Sequence, residues 1–152
     1  MRAGKKRGFE LRDWHIDALI FIFIFGFLLY YYKPELLLSS TATTCGDTGS
    51  DNYLAKFMAT ELLPHGEIFG WSQGRWAGYP IFQFIFPLAY ILMSLLSYVG
   101  VPLTIAFKLI TALPNFLIPI SAYVAMRWIG FKFPAPIISS ALSLIFLFQE
   151  KN

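Results

Sequence analysis

Apolar positions fall into four runs, broken by one long stretch of mixed character. Residues 16–32, IDALIFIFIFGFLLYYY, are almost continuously apolar and predict a first transmembrane helix. Its single charge, Asp17, sits at the cytoplasmic end, where water reaches it, and Tyr30, Tyr31 and Tyr32 form an interfacial aromatic belt at the other. Residues 81–100 predict a second span, with Pro87 tolerated because neighbouring helices satisfy the carbonyl it frees. Residues 103–128 predict a longer third span, kinked at Pro114 and Pro119, with Lys108 near its entry expected to snorkel to the cytoplasmic interface. Residues 134–148 form a fourth run that falls short of the roughly 20 residues a crossing needs, and is truncated if it spans at all. The expected fold is an all-α, polytopic membrane protein with three to four transmembrane helices.

The interruption, residues 33–80, is the part not built for lipid. Lys33 and Pro34 close the first span, and residues 36–45, rich in hydroxyls and β-branched side chains, read as an extended connection. Gly46 permits a tight approach, Asp47 is a natural N-cap, and residues 48–63 predict a helix stopped by Pro64. Tyr53, Leu54, Phe57, Met58 and Leu62 share one apolar face of it, with Asn52, Lys56 and Thr60 opposite. This predicts an amphipathic helix in the first extracellular loop, lying on the membrane or on the spans. From residue 63 to 80, prolines and glycines at 64, 66, 70, 74, 78 and 80 dictate turns. Between them stand His65, Glu67, Trp71, Arg75, Trp76 and Tyr79, a set that also suits a belt at the headgroup level.

Composition agrees with the pattern. The chain is 57% hydrophobic, 18% aromatic and 14% charged, against roughly 25% charged in a soluble domain, and leaves no room for a separate soluble unit. The net charge of +3 is concentrated in residues 1–15, where Arg2, Lys5, Lys6, Arg7 and Arg12 place the N-terminus in the cytoplasm. Nucleic acid is excluded as a partner, since the apolar run begins too soon after this cluster to leave surface for a duplex. A cleaved signal peptide is the weaker reading, because the run is long, aromatic and not followed by a small-residue cleavage site. With four crossings, Arg127 and Lys132 fall outside, against the charge bias. Cys45 is the only cysteine, so no intrachain disulfide and no thiolate metal site can form. Nothing in the pattern specifies an oligomer.

Candidate chemistry is confined to residues 46–80. Asp47 and Asp51 stand four apart at a helix start, a spacing that lets two carboxylates meet one divalent ion, though an aspartate there also caps the helix or complements its dipole. Gly46 to Gly49 lacks the lysine of a phosphate loop, and no zinc spacing or hydrolase elbow occurs.

The segments GDTGSDNYLAKF, LLPHGEIFGWS, WAGYPIFQFIFPL, FKLIT and YVAMRWIG, over about residues 46–131, resemble the N-terminal part of membrane proteins labelled 6-pyruvoyl-tetrahydropterin synthase related. Those proteins are similar to the GT-C glycosyltransferases, which use polyprenyl-phosphate sugar donors. The resemblance implies that the chain is such an enzyme or its N-terminal part, with Asp47 as the loop aspartate that acts as general base or metal ligand. Asp51 departs from a histidine in the family pattern.

Transfer of a sugar from phosphate to a hydroxyl needs a carboxylate to take the hydroxyl proton and a cation at the departing phosphate. Asp47 is the candidate for the first and Arg75 for the second, its guanidinium matching phosphate oxygens in pairs. His65, Trp71 and Trp76 join Arg75 as candidate substrate contacts. Asp47 and Asp51 are the candidate ligands of a divalent metal, Mg or Mn. The expected partners are the lipid bilayer and a polyprenyl-phosphate-linked sugar. A non-catalytic membrane assembly subunit is the alternative, and a transporter fragment using Lys108 and Asn115 ranks last.

Overall fold

The computed structural model describes residues 11–74 and 77–149, with side chains from His15 onward. The chain is mostly helical, with α1 at Leu11–Tyr32, α2 at Pro34–Leu37, α3 at Thr48–Phe57, α4 at Leu88–Tyr98, α5 at Leu103–Ile129 and α6 at Ala135–Gln149. A short antiparallel hairpin pairs β1, Gly70–Ser72, with β2, Tyr79–Ile81. Two helices, α1 over His15–Tyr32 and α5, are long and apolar enough to cross a membrane. The chain divides into two compact units, one comprising the residues up to Lys33 with those from Asn115 onward, the other running from Pro34 to Pro114.

In the first unit α1 packs against the C-terminal half of α5 and against α6. Phe21 meets Tyr123 edge-on at 5.1 Å and Phe25 meets Phe116 at 5.6 Å, so α1 and α5 run antiparallel. Phe148, at the end of α6, lies 4.3 Å from Tyr31, so α6 ends level with the end of α1. The Ser140 hydroxyl donates to the Pro119 carbonyl at 2.9 Å, tying α6 to α5. Ile24 and Leu28 are buried in this seam, while Ile22, Phe23, Leu117, Trp128 and Phe146 are exposed. Only 17% of the α1 window and 22% of the α5 window is buried, far less than for the core helix of a water-soluble fold.

Asp17 is not hydrated as the sequence suggests. It is 8% exposed, accepts a hydrogen bond from the Tyr123 hydroxyl and pairs with Arg127 at 3.2 Å. A carboxylate on an apolar helix face is tolerated when a cation and a hydroxyl replace its water.

The second unit has its own core. Leu54, Ala55, Met58 and Leu62 of the α3 stretch pack with Ile81, Phe82, Tyr90, Met93, Ala106 and Phe107. The expected helix over residues 48–63 forms, but as three turn types in series: α3, a π turn over Met58–Leu62 and a 3₁₀ turn over Leu63–His65. The Tyr98 hydroxyl donates to the Ala59 carbonyl at 2.6 Å, taking up an acceptor within the widened turn. Gly66, with φ 73°, ends the stretch in the left-handed conformation.

The expected continuous helix over residues 81–100 shortens to the 11 residues of α4. Two local features account for this. Residues up to Ile81 are committed to the hairpin, and Phe82 turns the chain at φ 63°. Pro87, lacking an N–H, then stands at the N-cap and serves as the helix start, not an interior residue. At 1.5 Å per residue α4 is about 16 Å long, against roughly 30 Å of hydrocarbon. By contrast α5 is assigned helical through both Pro114 and Pro119.

Lys108 does not extend to the surface as a snorkelling side chain would. It is buried, and its ammonium donates to the carbonyls of Leu36 (2.8 Å) and Ser39 (2.7 Å) and to Ser39 Oγ (2.9 Å). Three oxygens thus take all three of its N–H donors and fix the end of α2 to the start of α5.

Candidate functional site

The site is built on the N-terminus of α3. Asp47 stands at the N-cap position, but its backbone is already αR (φ −81°, ψ 0°) and its side chain makes no capping hydrogen bond. Thr48 instead ties the turn before the helix: the Cys45 N–H donates to Thr48 Oγ1 at 2.8 Å, and that hydroxyl donates to the Cys45 carbonyl at 2.6 Å. Asn52 Nδ2 donates to the Thr48 carbonyl at 2.9 Å. This local network closes the turn without a carboxylate. The Asp47 side chain is left exposed, with no partner among the described residues. The predicted side-chain cap is therefore corrected: Asp47 already has helical dihedrals and its carboxylate makes no bond to the first turn, while Thr48 binds the upstream Cys45 backbone.

Asp51 is half-buried one turn along, and its Oδ1 accepts a hydrogen bond from the Tyr90 hydroxyl at 2.9 Å. The bond joins α3 to α4 and aims this carboxylate at the second unit's interior. The two aspartates are thus differently employed, Asp47 toward solvent and Asp51 toward Tyr90. Among the described residues no three of His, Cys, Asp or Glu converge as a metal site. Four residues before Asp47, the Thr43 hydroxyl oxygen is buried without a partner among the described residues, which costs about 1–3 kcal/mol where it persists.

The remaining predicted contacts are dispersed. His65 closes the 3₁₀ turn, exposed, with Nδ1 2.6 Å from the Glu61 carbonyl. Eighteen residues of helical rise put it roughly 27 Å from Asp47, so the two do not share one site. Trp71 lies on β1 and is 61% exposed. Strand alternation turns Ser72 the other way, to a short hydrogen bond with Tyr53 of α3. Gly78, at φ 127°, lets the Trp71 indole close over the backbone, since a Cβ there would come within 2.7 Å of the ring. Arg75 and Trp76 lie outside the described residues.

Sequence reasoning missed Tyr90, the partner of Asp51, and the Asp17–Tyr123–Arg127 cluster. A signal for the second did exist: a charge inside an apolar run calls for an opposite charge in another run, and the third run carries two cations, Lys108 near its start and Arg127 near its end.

No family model, curated protein or solved structure matches the chain.

Proposed function

We propose that the chain is a membrane-embedded GT-C-like glycosyltransferase, or its N-terminal part, that moves a sugar from a polyprenyl-phosphate donor to an acceptor outside the cell. The carrying observation is Asp47: its carboxylate is exposed, makes no capping bond and has no partner among the described residues, while the turn before it is tied through Thr48 and Cys45. A carboxylate relieved of a structural role is available to accept the proton of an attacking hydroxyl. Asp51, held by Tyr90, orders the same helix end. A divalent ion such as Mg²⁺ or Mn²⁺ would supply positive charge to the departing phosphate; Asp47 and Asp51 are the carboxylates proposed to hold it, with water and phosphate oxygens filling the rest of its shell. In this reading Arg75 contacts that phosphate, and Trp71 and Trp76 offer faces to the sugar or to lipid.

The finer membrane arrangement belongs to the same proposal. It has three membrane helices, α1, α5 and α6, the last only about 22 Å long, with α4 too short to cross. Pairing of Asp17 with Arg127 supports one common side for the N-terminal basic cluster, Arg127 and Lys132. The charge conflict raised by four crossings then disappears, and that side is the cytoplasm by the positive-inside bias.

The test is transfer from a synthetic polyprenyl-phosphate sugar by membranes carrying the full gene product. Asp47→Asn should lower the rate at least 100-fold at unchanged membrane abundance, in line with loss of a general base. Full activity in that variant refutes the assignment. A second reading, a non-catalytic assembly subunit, draws on Phe84 and Phe86, which are 79% and 91% exposed between the hairpin and α4. It requires Phe84→Ser with Phe86→Ser to release a partner in cross-linked membranes while Asp47→Asn changes nothing.

A further inference from the structure

The two faces of α4 are used differently. Tyr90, Met93 and Ser94 are buried, and Tyr90 and Met93 share the core with Leu54, Met58 and Leu62 of the α3 stretch. On the other side Leu88, Leu92, Leu95 and Val99 are exposed. At about 100° per residue these four lie within roughly 60° of one another, so they form one stripe from the first residue of the helix to its C-cap. Phe84 and Phe86, both exposed, lead into it. Charge is segregated in the same way. Residues 77–107 contain no Asp, Glu, Lys, Arg or His, so α4 has no charged face of its own. The polar side belongs to the α3 stretch, where Lys56, Thr60 and Glu61 are exposed. Hydrogen bonds from the Tyr90 hydroxyl to Asp51 and from the Tyr98 hydroxyl to the Ala59 carbonyl fasten the two elements together. The pair is therefore one amphipathic body, with its polar face on one helix and its apolar face on the other.

We infer that α4 lies flat in the interface of one membrane leaflet, with the Leu88–Val99 stripe on the acyl chains and the α3 stretch toward water. Length rules out a crossing, since α4 is about 16 Å long against roughly 30 Å of hydrocarbon. An end-on dip is disfavoured by the backbone, because a helix end carries polar groups with no intrahelical partner, and only a flat helix keeps both ends at headgroup level. The stripe agrees, for it is as open at Leu88 (66% exposed) as at Val99 (84%) and not confined to one tip. A protein partner fits less well. Four side chains on one short helix, with two phenylalanines before it, fall far below the roughly 20–30 residues that each side of a stable interface uses. With no basic residue in α4, apolar contact and not attraction to anionic lipid holds it in place. This placement is independent of Asp47 and of glycosyl transfer.

The test is depth-resolved fluorescence quenching of the full chain in phosphatidylcholine vesicles. In a Cys45→Ser background, Leu88→Cys, Val99→Cys and Thr60→Cys each carry a small environment-sensitive fluorophore, at sites already exposed. Nitroxide lipid should quench positions 88 and 99 about threefold more than position 60, as expected for a helix set into the headgroup–acyl boundary. A nitroxide near the headgroup should outdo one near the chain end equally at both positions, and added phosphatidylglycerol should change neither. Aqueous iodide should reach position 60 alone. Unequal depths at 88 and 99 would show an end-on or crossing helix, and iodide quenching at both as strong as at 60 would put the stripe in water. A Val99→Cys dimer that shields both positions from nitroxide lipid would assign the face to a second copy. Each of these three results, or quenching that depends on phosphatidylglycerol, overturns the inference.

Discussion

Lys108 illustrates how a single side chain can be costly in isolation and stabilising in place. Its charge sits in an apolar helix, yet three oxygens of residues 36–39 occupy its ammonium at 2.7–2.9 Å. Hydrogen bonds to a charged group contribute more than neutral ones, and an orphaned buried acceptor costs about 1–3 kcal/mol. Lys108→Met keeps the stem and deletes all three donors, so it should destabilise the second unit by about 2 kcal/mol. In a thermal melt in detergent this reads as a midpoint lowered by roughly 4–8 °C. A midpoint within a degree of the parent would show that water replaces the ammonium at no cost. Asp47 is the opposite case at this scale, a charged group whose removal should leave stability unchanged, because its exposed side chain makes no capping hydrogen bond.

Between elements, the joint that matters in the first unit is the α1–α5 seam, where Asp17 and Arg127 have side chains 12% and 20% exposed. A pair this far from water is worth more than a surface ion pair, and removing one member strands the other. Asp17→Ala and Arg127→Ala should each cost about 2–3 kcal/mol. The double substitution should cost less than their sum, a coupling of at least about 1 kcal/mol in a double-mutant cycle. Additive losses would mean that the two residues act separately. How much of these elements was legible beforehand depends on how local their causes are. The helix beginning at Thr48 could be read from Leu54, Met58 and Leu62 on one face, since that periodicity is what the core uses. The shortening of α4 could not, because it follows from strand pairing of Tyr79–Ile81 with Gly70–Ser72 and from a positive φ at Phe82. Asp51 with Tyr90, and Lys108 with Leu36, join residues 39 and 72 positions apart, and neither partner is marked by any periodicity.

For the whole molecule, the number of crossings decides on which side each loop lies, and the charged residues supply a check. Four crossings put Arg127 and Lys132 opposite the basic N-terminus. In the proposed arrangement a first crossing by α1 and a return by α5 put them on the same side, in keeping with the Asp17–Arg127 pair that joins those helix ends. Cys45 offers a natural reporter, being the only cysteine, exposed, and in the proposed arrangement beyond the first crossing. In sealed spheroplasts an impermeant maleimide should label the parent chain at Cys45 without lysis. A Cys45→Ser chain carrying Lys132→Cys should be labelled only after lysis, and so should one carrying Lys5→Cys. Labelling of the position-132 cysteine from outside would restore α4 as a crossing element and remove the shared side for the basic residues. Protection of Cys45 in intact cells, with labelling on lysis, would instead place the Asp47 segment in the cytoplasm, where a reaction on an external acceptor cannot occur.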